Sequence, residues 1–198
     1  MVSVDAEQIT MLREVLSATG WLERTQEFGR ALRGTSRTPG GLLLVGTPGD
    51  DPWHLAAHLD DESRLGDVPG LAPTLVRWKP PAGAPAHLKI GLERLEAARR
   101  GETLFVVAEE DAPVPLLERV DDARRTGATV LALEGGDREL QGLAHEALTV
   151  PPREALLSFD GAQHLVSAAA GQEPARSPRG FRRRLARLLD TVSGPVVD

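Results

Sequence analysis

Cysteine is missing from all 198 residues of the chain. Its absence excludes disulfide frameworks, thiolate zinc sites and cysteine nucleophiles. The chain also lacks an apolar run of the ~18–20 residues that a membrane span requires, and residues 1–7 have neither the basic start nor the apolar core of a signal peptide. We therefore expect a soluble cytoplasmic protein.

Lysine is scarce, occurring only at positions 79 and 89, and the formal net charge is −6. A negative chain is a poor match for nucleic-acid phosphates or an anionic membrane surface, so we expect neither as a partner. The length suits one domain with appendages, at the usual ~100–200 residues per domain. We expect N-terminal helices over residues 1–39, an α/β domain over 40–170, and a linker with a further helix over 171–198.

Short apolar runs rich in β-branched residues alternate with stretches of helical periodicity, and this alternation predicts an α/β fold. Parallel strands joined by crossover helices follow from that order. We expect a three-layer, doubly wound sheet of five mainly parallel strands, with helices before it and an amphipathic helix after it. The predicted strands are 42–45, 74–78, 104–108, 129–133 and a short one ending near 150; the predicted helices include 5–17, 21–32, 52–59, 88–99, 116–123 and 155–169.

The first loop, residues 46–51, follows the predicted strand 42–45 and precedes a helix, a geometry in which backbone N–H groups can face an anion. Gly46, Thr47, Gly49 and Asp50 are therefore candidates for ligand binding. The loop has neither the three glycines of a dinucleotide site nor the Gly-Lys-Ser/Thr of a phosphate loop, so we expect no cofactor. The alternative is a plain strand-to-helix turn in which Asp51 caps the helix.

The acidic loop, residues 109–113, follows the predicted strand 104–108 and presents Glu109, Glu110 and Asp111. Ligands of open parallel sheets bind at the carboxyl ends of strands, so these three are also candidate ligand-binding residues. Two interpretations stay open. The acids cap and solvate the start of the next helix, or they bind a metal, an amine-bearing ligand or a basic partner.

Two histidines, His54 and His58, lie four residues apart on a predicted helix and so share a face. With the nearby Asp50 and Asp51 they supply the residue types of a metal site. The glutamate that stands next to the first histidine in zinc-hydrolase helices is missing. The sequence therefore favours solvated histidines over a metal.

The C-terminal segment combines arginines with an apolar stripe at helical spacing, which predicts a basic amphipathic helix. This helix either packs on its own domain with the arginines in solvent, or docks onto an acidic partner surface. The candidate partner-binding residues are Arg182, Arg183, Arg184 and Arg187.

Residues 40–151 resemble the sugar isomerase (SIS) domain, the phosphosugar-binding fold of aminosugar isomerases and sugar-responsive regulators. The resemblance lies in the opening strand with its glycine loop (41–49), the strand motif Gly127-Ala128-Thr129-Val130 and the ending Ala147-Leu148-Thr149-Val150-Pro151. It implies a flavodoxin-like α/β fold, a sugar-derived ligand and a homodimer.

The chain departs from the family at the loop where a phosphosugar-binding member carries Ser or Thr hydroxyls. The acidic loop has none, and a carboxylate repels a phosphate by about 1 kcal/mol per unit charge pair at ~4 Å even in bulk water. A phosphate would have to rely on Thr47 and on Arg77 or Arg125. We therefore expect any sugar-derived ligand to differ from an ordinary phosphosugar.

Isomerases of this family use a glutamate base and a ring-opening histidine, for which Glu109, Glu110 and His164 are the candidates here. None of them lies in a family motif. The sequence therefore favours a dimeric, non-catalytic SIS-like binding or scaffold protein. The alternatives are a sugar-phosphate isomerase or a carbohydrate-binding regulator with an atypical site.

Overall fold

Strands and helices alternate along the chain in a computed structural model that describes residues 20–80, 82–83, 85, 89–150 and 158–172. The predicted helix 5–17 and the predicted C-terminal helix, with Arg182, Arg183, Arg184 and Arg187, lie outside the described residues. The strands are β1 (Leu42–Val45), β2 (Pro73–Val76), β3 (Thr103–Ala108), β4 (Thr129–Glu134) and β5 (Glu146–Thr149). The α-helices are α1 (Trp21–Thr35), α2 (Trp53–Leu65), α3 (Glu93–Glu96), α4 (Val114–Arg125), α5 (Arg138–Leu143) and α6 (Phe159–Gly171). In these ranges, no helix has the length and apolar content needed to cross a membrane.

The five strands form one sheet in the order β2-β1-β3-β4-β5, and every neighbouring pair is parallel. Alternate strand residues point to opposite faces, as the period of two requires. On one face Leu44, Phe105 and Leu131 share a core with α1, α2 and α6. On the other face Val106 and Ala132 share a core with α3, α4 and α5. The expected three-layer, doubly wound α/β architecture is confirmed.

Helix α6 is buried along almost its whole length, and it packs against α1 and α2. Small residues permit the close contact with α1, because a Cβ atom on Gly29 would lie 2.6 Å from the Cβ of Ala169. Arg33 of α1 donates hydrogen bonds to the carbonyl oxygens of Ala170 and Gly171 at 3.4 and 3.2 Å. The cationic side chain thereby satisfies carbonyl groups that the helix leaves without internal partners.

Several predicted elements have different bounds in the structure, and three of them bear on the site or its surroundings. Strand β2 ends at Val76 instead of residue 78, and the Arg77 N–H donates to the Ile90 carbonyl at 2.8 Å. The predicted helix 88–99 contracts to α3, because the chain pairs Gly91 with Arg77 beside the end of β2. Helix α2 does not end at residue 59 as predicted. It continues through the acidic residues 60–62 to Leu65, and Gly66 is its C-cap residue.

Candidate functional site

The carboxyl ends of β1 and β3 lie side by side at the topological switch point of the sheet. After β1 the chain moves to β2 on one side, and it later returns to β3 on the other side. Ligands of doubly wound folds bind at this point, because the connections leave it in opposite directions. The first loop and the acidic loop both start here, because each follows one of these two strands. We call the space that these two loops border the crevice.

The first loop is closed by its own backbone. The Asp50 N–H donates to the Thr47 carbonyl at 3.2 Å, and a Cβ atom on Gly46 would lie 2.0 Å from the Asp50 carbonyl oxygen. The Trp78 indole N–H donates to the Gly46 carbonyl at 2.8 Å, which ties the loop to the segment after β2. Gly49, by contrast, has open space around it. Of the glycines predicted to bind a ligand, Gly46 therefore has a structural role.

Asp51 pairs with an arginine and does not cap α2, so the predicted cap is wrong. The N-cap residue of α2 is Pro52, without a side-chain cap hydrogen bond, and Asp51 Oδ2 lies 3.2 Å from Arg77 Nη1. This pair forms because Arg77 follows β2, the neighbour of β1, so both residues leave the same edge of the sheet. Burial raises the pKa of the Asp51 carboxyl, and Arg77 offsets part of that rise.

Arg125, the other predicted phosphate contact, lies away from the crevice. It is the last residue of α4, which runs back to the edge where the strands begin. There it pairs with two acids of its own helix at 2.6 and 3.6 Å. Arg77 is therefore the predicted arginine that the structure brings to the first loop.

Asp50 in the first loop lies three residues before an exposed aromatic residue at the start of α2. Burial raises the pKa of the Asp50 carboxyl, and the nearby Asp160 and Asp51 raise it further. Trp53, the first residue of α2, is 53% exposed, and its ring lies 3.5 Å from that of His54 between centroids. The segment that follows β1 thus combines acidic groups with one exposed aromatic side chain.

The acidic loop presents residues 109–111 to solvent. None of them caps α4, whose N-cap residue is Pro113 without a side-chain cap hydrogen bond, so the capping half of the first interpretation is wrong, whereas their exposure agrees with its solvated half. The loop is held through its backbone instead, since the Ala112 N–H donates to Asp137 Oδ2 at 2.8 Å. Among the described residues, no hydrogen bond or ion pair engages the three acidic side chains, which leaves them available to a ligand.

Two carboxylates that the sequence analysis missed, Glu134 and Asp137, support this edge of the sheet. Glu134 is fully buried and accepts hydrogen bonds from Thr149 Oγ1 at 2.5 Å, Gln141 Nε2 at 3.0 Å and the Gly136 N–H. Asp137 caps α5 through two backbone N–H groups and also holds the acidic loop. An aspartate just before a helical pattern is an ordinary cap signal that could have identified Asp137.

His58 and His164 meet where α2 packs on α6, with ring centroids 4.3 Å apart in an edge-on arrangement. His164 Nε2 lies 3.4 Å from Asp160 Oδ2. His54 lies against Trp53, so the two histidines predicted to act together engage different partners. Within the described ranges, no three His, Cys, Asp or Glu side chains form a group that could hold a metal ion. His164 is thus a packed helix-contact residue, and no described contact joins it to the acidic loop.

His58 is expected to make the protein less stable as the pH falls. Burial lowers its pKa and His164 lowers it further; Asp61 and Asp160 act in the opposite sense, and His54 in the same sense. The folded protein therefore binds fewer protons than the unfolded chain, in which histidine titrates at about 6.5. This contribution to stability is complete above that pH, and it is lost as the pH falls through 6.5 toward the folded-state value.

Urea unfolding of the wild type and of His58→Gln between about pH 5 and 8 measures this effect. The variant is expected to lose less stability than the wild type on acidification. Asp50 and Asp51, whose raised pKa values stabilise the fold on acidification, are present in both proteins and cancel in the difference. If the free energy of unfolding depends on pH equally in both proteins, His58 is not the group responsible for the loss of stability.

Comparison with solved structures identifies the fold. A protein from Salmonella typhimurium LT2 named for sugar binding matches with a TM-score of 0.58 and 17% identity, over 96% of this chain and 54% of that one. A protein from Silicibacter pomeroyi DSS-3 named as a phosphosugar isomerase gives 0.58 and 14%, over 96% and 55%. The sugar isomerase domain of an RpiR transcription factor from Sphaerobacter thermophilus gives 0.51 and 16%, over 95% and 97%.

No protein-family model and no curated protein matches the sequence. The chain spans about half the length of the first two structures that it matches. At such low identities the likeness shows the fold alone. The chain has the fold of a divergent SIS domain, as its sequence motifs predicted.

Proposed function

We propose that the chain is a non-catalytic, SIS-like binding protein whose crevice takes a sugar derivative without a phosphate group. An amino sugar, which carries a protonated amine at neutral pH, fits this description. The observation that carries the proposal is the acidic character of both loops at the crevice. Asp50 and Asp51 stand on one side, and the exposed carboxylates of residues 109–111 stand on the other.

Electrostatics favour a neutral or cationic ligand at these loops. A phosphate dianion beside several carboxylates is repelled, whereas an ammonium group is attracted by the same fields. The structures with this fold include proteins named for sugar binding and for phosphosugar isomerisation, which supports a sugar-derived ligand. The acidic loops then distinguish this chain from a phosphosugar-binding protein.

Trp53 adds an apolar surface suited to a sugar ring. Its indole is half exposed at the start of α2, directly after the first loop. Aromatic rings supply a large apolar face at low conformational cost, and the CH-lined face of a pyranose can lie on such a surface. We propose that Trp53 contacts the ligand from the side of the first loop.

A binding role is favoured over catalysis because the parts for acid–base chemistry are not assembled. Isomerisation needs a base and a partner group placed within hydrogen-bond reach of one substrate. Among the described residues, no hydrogen bond or ion pair joins Glu109 or Glu110 to His54, His58 or His164. We further propose a homodimer, because the matched region is about half of two longer structures and a second copy would supply a comparable assembly.

Thermal unfolding with glucosamine, N-acetylglucosamine and the 6-phosphate of each tests the ligand class. We expect the unphosphorylated sugars to raise Tm, since a ligand at a hundred times its Kd adds about 2.7 kcal/mol, and we expect the 6-phosphates to have little effect. Light scattering in the same buffers is expected to give the mass of two chains.

Two variants locate the binding. Trp53→Ala is expected to reduce the Tm shift caused by the sugar. Leu65→Ala, which removes another exposed apolar side chain from α2 at its far end, is expected to leave that shift unchanged. A Tm shift with the 6-phosphates alone would overturn the proposed ligand class.

A further inference from the structure

The ion pair between Arg77 and Asp51 joins the two segments that follow β1 and β2. The Arg77 side chain is only 23% exposed, that of Asp51 is 41% exposed, and the closest nitrogen–oxygen distance is 3.2 Å. The backbone of Arg77 is fixed as well, because its N–H donates to the Ile90 carbonyl at 2.8 Å. The guanidinium is therefore held near the first loop with a carboxylate of the same chain already on it.

An arginine in this place has the chemistry of a phosphate contact. Its planar guanidinium can donate two parallel hydrogen bonds to phosphate oxygens, in the geometry with which it also binds carboxylates. Asp51 presents its carboxylate to this donor group. A ligand phosphate could use Arg77 only by displacing Asp51, and the displaced carboxylate would remain nearby with its charge.

We propose that Asp51 is a specificity-determining residue, which excludes phosphorylated ligands from the crevice by occupying Arg77. The inference rests on the proposed function, in that it names the residue responsible for the ligand class of the same site. General repulsion by acidic residues would involve every carboxylate at the crevice, whereas here the exclusion of phosphate depends on the ion pair of Asp51 with Arg77. Neutralising Asp51 both frees the guanidinium and removes one repulsive charge.

The substitution Asp51→Asn tests this assignment, since asparagine has nearly the same shape and no charge. We expect the variant to bind inorganic phosphate and glucosamine 6-phosphate about tenfold or more tightly than the wild type, as removal of one close like charge predicts. Calorimetric titration at low ionic strength measures the Kd. The double variant Asp51→Asn/Arg77→Gln is expected to lose the gain, because the freed guanidinium is gone.

Asp61→Asn is the matched control. It makes the same charge change in another Asp–Arg pair, on α2, where Asp61 Oδ1 lies 4.0 Å from Arg64 Nη1 and both side chains are exposed. It is expected to leave phosphate binding within about twofold of the wild type, because screened surface charges act weakly at a distance. An equal gain in both single variants would overturn the assignment, since net charge alone would then explain it.

The outcomes separate this inference from the proposed function. If the wild type binds unphosphorylated sugars but Asp51→Asn gains no phosphate affinity, the role of Asp51 is wrong and the proposed function stands. If the wild type binds no sugar but Asp51→Asn gains phosphate affinity through Arg77, the role of Asp51 stands and the proposed ligand class fails. Far-UV circular dichroism of each variant shows whether the fold is retained.

Discussion

Replacing Gly46 with alanine is expected to lower the free energy of unfolding by about 2–3 kcal/mol and to abolish ligand binding in the crevice. The added Cβ would lie 2.0 Å from the Asp50 carbonyl oxygen and 2.6 Å from Pro52 Cδ. Asp50 belongs to the closed first loop and Pro52 joins that loop to α2 as its N-cap residue, so neither can move without opening the loop. The Trp78 hydrogen bond to the Gly46 carbonyl would be strained by the same movement.

Gly49→Ala supplies the control, because it changes the same loop by the same methyl group. A Cβ at Gly49 meets nothing within 4 Å. Its effect on stability is expected to stay within about 0.5 kcal/mol, as for ordinary surface substitutions. Urea unfolding and the sugar-induced Tm shift of both variants provide the measurements. Equal free energies of unfolding for Gly46→Ala and Gly49→Ala would contradict the close contact of Gly46 with the Asp50 carbonyl.

A second large effect is expected at Gly29, in the middle of α1. Alanine is ordinarily the better helix former by roughly 0.5–1 kcal/mol, so an unconstrained substitution would stabilise the protein. Here the new Cβ would lie 2.6 Å from the Ala169 Cβ and 2.8 Å from the Ala170 backbone nitrogen. The two helices would have to separate, and we expect a net loss of about 2–3 kcal/mol.

Gly34→Ala is the control, because it adds the same methyl group to α1 at a position that does not contact α6. Gly34 also lies in α1, and a Cβ there meets nothing within 4 Å. This variant is expected to gain up to about 0.5–1 kcal/mol of stability. Opposite signs for the two alanine variants in urea unfolding would establish the close packing of α1 on α6. The same sign for both would contradict it.

The fold could be predicted to a large extent because its signals are local. Strand β1 was predicted with its observed bounds, since a short run of leucine and valine between turn formers has few alternatives. The helix predicted at 88–99 contracts to the single turn α3, although Leu92, Leu95 and Ala98 still pack in the core of that face. There the long-range pairing of Gly91 with Arg77 outweighed helical preference.

The site was less accessible to sequence reasoning, because its contacts join distant segments. The pairing of Asp51 with Arg77 depends on β1 and β2 being neighbours, and no local pattern records it. The predicted strand 129–133 stops one residue short of Glu134. The strand nevertheless continues through it, since donors from Gly136, Gln141 and Thr149 satisfy the buried carboxylate.

The contact of α1 with α6 also governs the order in which the domain can be completed during synthesis. Gly29 and Ala169 are in direct contact, yet all five strands of the sheet are made between them. A ribosome adding roughly 5–20 residues per second would leave the complete sheet without α6 for about 1–4 seconds after β5 is made, and the earlier strands for longer. Until then the face that carries Leu44, Phe105 and Leu131 lacks one of its covering helices. A chain that lacks α6 therefore leaves this apolar face exposed, and such a surface promotes aggregation.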